Sequence, residues 1–189
     1  MDITAFFQHS AGKWISQRTS HNFASKQSEN GKSTLQIEVM PSDAPDVIKL
    51  CELHGVDPAS ALIGMRISWE GNMDWKTQKQ IGSTVLVPLA DPAQTNAGRL
   101  LSGMGSPGQP SVSGRYVMGS DDALTLITES DTMYFEERIW FAGDNLRLRN
   151  SLLKPANGAT LASFCSEIRM ISQPAPATTP ATEEASPTS

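Results

Sequence analysis

Apolar and polar residues alternate in short runs along most of this chain, with turn-forming residues between the runs. This period of two constrains the fold more than any other feature. The runs are Trp14–His21, Ser33–Val39, Leu62–Trp69 and Thr84–Leu89. Arg115–Met118 and Leu124–Thr128 flank the turn signal Gly119-Ser120-Asp121-Asp122, and Met133–Phe141 and Leu146–Leu153 flank Gly143-Asp144, so each pair predicts a hairpin. Thr160–Ile171 closes the series. Helical periodicity is confined to two places. Asp2 is placed to cap a short helix through His9, with Ile3, Phe6 and Phe7 on one side. Ser42 and Asp43 are placed to cap a second, from Ala44 to His54, which presents Val47, Leu50, Cys51 and His54 on one face before Gly55 ends it. Roughly eight to ten short strands with so little helix predict an all-β antiparallel barrel or sandwich, and a barrel of that size holds one small ligand.

Charge narrows the function. Fifteen Lys and Arg against 20 Asp and Glu give a net charge of −5, which offers no general basic surface for a nucleic-acid backbone. No apolar run approaches the ~20 residues of a membrane helix, and none follows a basic N-terminus as in a signal peptide. Two cysteines form no disulfide framework, and the expected compartment is a reducing cytoplasm. From Gln173 to Ser189 the chain is Pro, Ala, Thr and Ser with two glutamates, which predicts a disordered tail after a domain of residues 1–172. Gly103–Gly108 lacks the lysine of a phosphate loop and reads as a mobile loop. His9, His21 and His54 are too scattered for a metal site, and no Ser-His-Asp arrangement is visible.

The hairpin from Met133 to Leu153 separates two kinds of residue. With Gly143-Asp144 as a two-residue turn, Trp140 faces Arg147, Arg138 faces Arg149 and Glu136 faces Ser151. One face then carries Phe135, Ile139, Phe141, Leu146, Leu148 and Leu152; the other carries Glu136, Arg138, Trp140, Arg147, Arg149 and Ser151. Either the apolar face is core and the charged face is wet, or the arginines line the interior to receive an anionic conjugated ligand. Periodicity alone leaves both open.

Gly12-Lys13-Trp14, after a short helix, resembles the opening signature of the lipocalin superfamily, with Trp14 as a plug for the barrel's closed end. Four further stretches extend the likeness: Gln17-Arg18-Thr19-Ser20-His21, Trp69-Glu70 with Trp75, Gly114-Arg115-Tyr116, and Glu136–Ala142 followed by Asn145–Arg149. Together they resemble the S-type phycobiliprotein lyases (CpcS/CpeS) over residues 1 to about 172, although Ser102–Pro110 is richer in Gly and Ser than that pattern. The resemblance implies a lipocalin-like, fatty-acid-binding-protein-like barrel that binds a linear tetrapyrrole non-covalently. The barrel then passes it, as a thioether, to the central cysteine of phycobiliprotein subunits. It implies phycocyanobilin as substrate, no separate cofactor, and allophycocyanin and phycocyanin β subunits as partners in a cyanobacterial cytoplasm. Arg18, Arg147 and Arg149 are the expected propionate partners, Trp69, Trp75 and Trp140 the expected stacking indoles, and Ser151 a further contact. Glu136 is the expected carboxylate for a protonated bilin, and His21 a proton carrier. Cys51 and Cys165 read as buried structural thiols. The apolar hairpin face would suit a homodimer if it lies outside. A carrier that binds a carboxylated hydrophobic ligand without chemistry is the rival reading.

Overall fold

In the computed structural model, which describes residues 1–73, 79–103 and 111–171, the alternating runs become ten antiparallel strands. These are β1 (Gly12–Asn22), β2 (Gln27–Met40), β3 (Gly64–Met73), β4 (Gln80–Pro88), β5 (Ala97–Gly103), β6 (Val112–Met118), β7 (Leu124–Ser130), β8 (Met133–Gly143), β9 (Leu146–Pro155) and β10 (Leu161–Arg169). Each pairs with its sequence neighbour, and β1 also pairs with β10, closing the barrel so that no edge strand remains among the described residues. Every strand but β5 overlaps a run read from the sequence. In β5 the alternation fails because Leu100 is buried on the inner wall while Leu101 is buried on the outer wall, under a helix. Trp75, the Met104–Gly108 stretch and the tail from Gln173 lie outside the described residues.

Among the described residues, two α-helices complete the fold. Helix α1 (Ile3–Ser10) is capped by Asp2, whose carboxylate accepts from Ala5 N at 2.7 Å. Its Ile3, Phe6 and Phe7 are buried against Trp14, Leu124, Met118 and Ile139, so the helix plugs one end of the barrel. Trp14 is fully buried there, and its indole N–H donates to Ser10 O at 2.9 Å. Helix α2 (Pro45–Leu53) packs Val47, Leu50 and Cys51 on the outer face of β4 and β5, against Val85, Val87 and Leu101. Its cap corrects the expectation: Ala44, not Ser42 or Asp43, is the N-cap and makes no side-chain bond, with Pro45 beginning the helix. No described helix is long and apolar enough to cross a membrane.

The inward residues change size along the barrel axis. Near α1 they are Leu35, Ile37, Met65, Leu86, Tyr116 and Leu126, which fill the cross-section. Toward the other end they include Ser33, Gly71, Thr84, Ser102 and Thr128, which leave it open.

The hairpin of β8 and β9 differs from its sequence reading by one residue. Its loop is Asp144-Asn145, Gly143 pairs with Leu146, and a bulge follows between Gly143 and Phe141. Beyond the bulge Phe141 faces Arg147, Ile139 faces Arg149 and Glu137 faces Ser151. A one-residue slip exchanges the faces of one strand relative to its partner. The face assignment is therefore corrected: Glu136, Arg138 and Trp140 do not share a wall with Arg147 and Arg149. Phe135, Glu137, Ile139 and Phe141 do, while Leu146, Leu148 and Leu152 of β9 take the outer face.

Phe7→Ala removes a fully buried ring from the plug and is expected to cost about 3–5 kcal/mol in urea unfolding. A loss below about 1 kcal/mol would show that α1 does not seal the barrel.

Candidate functional site

Among the described residues, the space left by the small inward residues is a cavity of about 400 Å³ that opens at the end opposite α1. That volume lies within the roughly 300–1,000 Å³ of ligand pockets. Arg18 from β1, Trp69 from β3, Phe135 and Glu137 from β8 and Arg149 from β9 line it. The hydroxyls of Ser16, Ser33, Thr84 and Ser102 and the apolar side chains of Leu35, Ile67 and Leu86 complete the wall. The strands place these side chains by parity: Trp14, Ser16 and Arg18 alternate inward along β1, and Arg147 and Arg149 along β9.

Beneath the cavity lies an ionic network. Glu167, on β10, has no exposed surface. One of its oxygens accepts from Arg147 Nε at 2.6 Å, and the other lies 3.2 Å from Arg149 Nη2 and 3.4 Å from Ser16 Oγ. Arg149 Nη1 reaches Glu137 at 3.3 Å, and Nη2 also approaches the Cys165 sulfur at 3.5 Å. Arg147 stands over the Trp14 ring at 5.1 Å and Arg169 at 4.1 Å, so the indole of the plug also faces two guanidiniums. Burial pushes the pKa of Arg147 down against the pull of Glu167. For Arg149 burial acts the same way, but Glu137 and Glu167 outweigh it and raise its pKa above the usual arginine value. Arg149 consequently stays charged at the cavity wall.

Three arginines and two glutamates, Arg18, Arg147, Arg149, Glu137 and Glu167, thus gather on inward positions of β1, β8, β9 and β10. In the ladder Arg18 and Arg149 flank Cys165 on either side. The combination offers guanidiniums to a carboxylated ligand, one carboxylate to a cationic or N–H-rich ligand, and an indole face to a π-system. Among the described residues no cluster of His, Cys, Asp and Glu could hold a metal ion.

Of the residues read from the sequence, Arg18, Trp69 and Arg149 come together at the cavity, and Arg147 lies below it. Glu136 and His21 do not join them. They border a second, more open groove on the outside of the barrel with Arg138, Asn150, Leu152 and Phe164. There Tyr134 donates to Glu136, which raises the Tyr134 pKa, Arg138 pairs with Asp121, and His21 Nδ1 lies 2.8 Å from Ser28 Oγ. Trp140 faces outward with them, opposite Leu148. Ser151 stands between Glu137 and Ser163 in the ladder and also borders the outer groove. Both cysteines are free and buried, and burial, with Asp57 adding to it, raises the Cys51 pKa. Glu137 and Glu167 were missed. Glu167 had one usable signal: in β10 it falls on the same parity as Cys165, two residues away, and is the one acidic residue of the strand.

Comparison with known proteins covers the whole barrel. Residues 2–170 match the family model described as CpeS-like protein. A chromophore lyase CpcS/CpeS of Thermosynechococcus vestitus is 56% identical over 93% of this chain and 97% of its own length. The phycocyanobilin lyase subunit CpcS of Picosynechococcus is 36% identical over 94% and 90%. The solved structure of the S-type phycobiliprotein lyase CPES from Guillardia theta superimposes with a TM-score of 0.81 at 35% identity, covering 92% of this chain and 95% of that one.

Glu167→Ala leaves the buried Arg147 guanidinium without its carboxylate and Arg149 with Glu137 alone, and is expected to cost about 3–5 kcal/mol in urea unfolding. Glu136→Ala, on the outer face, should stay within about 1 kcal/mol of wild type. Similar small losses for both would mean that the buried network does not hold the wall.

Proposed function

This chain belongs to the CpeS-like family, and on that premise we propose that it is a bilin lyase. In this reading the barrel binds a linear tetrapyrrole non-covalently and transfers it to a cysteine of a phycobiliprotein subunit. The observation that carries the reading is the cavity wall itself: paired guanidiniums, a carboxylate and an indole converge in a family whose relatives are named chromophore lyases.

Each part suits that substrate. The tetrapyrrole has two propionates, for which Arg18 and Arg149 on the cavity wall are the proposed partners. Arg149 Nε is buried without a hydrogen-bond partner among the described residues, a donor that a ligand carboxylate would satisfy. The Trp69 indole offers a stacking face. Glu137 takes the role first given to Glu136, because it is the carboxylate on the cavity side of β8. It would hold the positive charge of a protonated pyrrole system, which makes the ethylidene carbon a better electrophile. The acceptor thiol adds across the ethylidene double bond: a C–S bond forms, and the thiol's proton ends on the tetrapyrrole. Since α1 seals the far end, the acceptor approaches through the open mouth. The rest of catalysis is positional.

Phycocyanobilin is the proposed bilin, and the central cysteines of allophycocyanin subunits and phycocyanin β are the proposed acceptors, in the cytoplasm. His21, Trp140 and Ser151 have no part in this account, since none lines the cavity. A homodimer would use the outer strip of β9 and β10, where Leu146, Phe164 and Ile168 are exposed.

The test combines this protein, phycocyanobilin and an apo-subunit, followed by denaturing electrophoresis. Bilin fluorescence should appear on the subunit band only when the protein is present. Colour that stays with the barrel and never becomes covalent on the subunit would instead make it a carrier. Glu137→Gln should slow transfer about 10²-fold with bilin still bound, whereas Glu136→Gln should leave it within about twofold.

A further inference from the structure

Trp69 owes its position to a glycine. In the β3–β4 ladder Trp69 is paired with Gly82, and both belong to the inward series of their strands. A Cβ built on Gly82 would lie 2.4 Å from Trp69 Cζ2, 2.6 Å from Cε2 and 3.0 Å from Nε1. The indole therefore lies across the bare backbone of Gly82, in space that any other residue would occupy. Backbone conformation does not account for the glycine, because its φ lies outside the left-handed region. Glycine within a strand also costs about 0.5–1 kcal/mol relative to alanine. Room for the indole is the property that remains.

The other side of Trp69 is closed. Leu35 is its partner on β2, buried within the core cluster. Among the described residues, the open space beside an indole displaced from Gly82 is the lumen of the cavity that it already lines.

We propose that Gly82 is a positioning residue for the tetrapyrrole: by lacking a side chain it seats the Trp69 indole in the wall, and this seat sets the width of the cavity and the plane on which the ligand stacks. The proposal rests on the bilin reading above, and it adds a specificity element that touches no ligand. A methyl group at residue 82 pushes the ring inward, narrows the lumen that Glu137 and Arg149 also line, and changes the planarity and absorption of the bound chromophore.

The experiment is a double-mutant cycle of Gly82→Ala and Trp69→Ala, with phycocyanobilin as the probe. Absorbance titration gives affinity and the spectrum of the bound bilin; urea unfolding and tryptophan emission report on the unliganded barrel. Gly82→Ala alone should weaken binding about tenfold and shift the absorption maximum, whereas in the Trp69→Ala background it should change affinity less than about twofold. Equal losses in both backgrounds, or no loss with Trp69 present, would overturn the proposal. If Gly82→Ala alone fails to fold, the cycle is read from the double variant: recovery of folding on removing the indole supports the contact, and continued failure refutes it. A wild-type barrel that binds no tetrapyrrole would remove the bilin reading and the ligand-positioning role with it. Coupling in the unfolding midpoints and in the emission spectrum would then show separately whether Gly82 seats Trp69.

Discussion

The ladder between β8 and β9 slips by one residue at its loop, and the inner wall depends on that slip. With the bulge between Gly143 and Phe141, Arg147 and Arg149 turn to the same side as Glu137, Ile139 and Phe141. Without it they would share a side with Glu136 and Trp140, away from Glu137, which its pairing with Leu126 on β7 holds to the inner side. A bulge places one extra residue opposite none and reverses the phase of everything beyond it. The contact of Glu137 with Arg149, the seat of Arg147 over Trp14 and the burial of Glu167 all follow from that reversal.

The charged layer is not explained by stability. A buried ion pair seldom outperforms apolar residues of the same volume, because removing the charges from water offsets most of their attraction. Below the cavity the barrel is packed with large apolar residues and sealed by α1, so an apolar layer could have continued upward. Instead Glu167 fixes two arginines at the level where the inward residues shrink to Gly, Ser and Thr. The floor is rigid and charged, and the walls above it are small. Trp69 and Phe135 are large exceptions, and Gly82 makes space for the indole.

Much of this was legible in the sequence, and the exceptions have physical causes. Strands with one wet face announced themselves by alternation. Strand β5 did not, because α2 buries Leu101 on its outer side while the core takes Leu100. The plug was visible in Asp2, Phe6, Phe7 and Trp14. Arg18 and Trp69 could be placed because β1 and β3 run without a bulge from their aromatic markers. Glu137 could not, since its neighbour Glu136 is chemically identical and only the register at Phe141 and Gly143 distinguishes them. Glu167 was hidden for a related reason: a buried carboxylate is recognisable only through its partners, and Arg147 and Arg149 meet it through the β9–β10 register, which alternation alone does not give.

In the proposed complex the tetrapyrrole occupies the interior between Trp69 and Glu137. A crystal structure of the protein with phycocyanobilin tests this most directly. It should show the bilin inside the barrel, with propionates on Arg18 and Arg149, pyrrole nitrogens toward Glu137 and a ring against Trp69. Bilin density in the outer groove beside His21 and Glu136, with the interior unchanged, would contradict it.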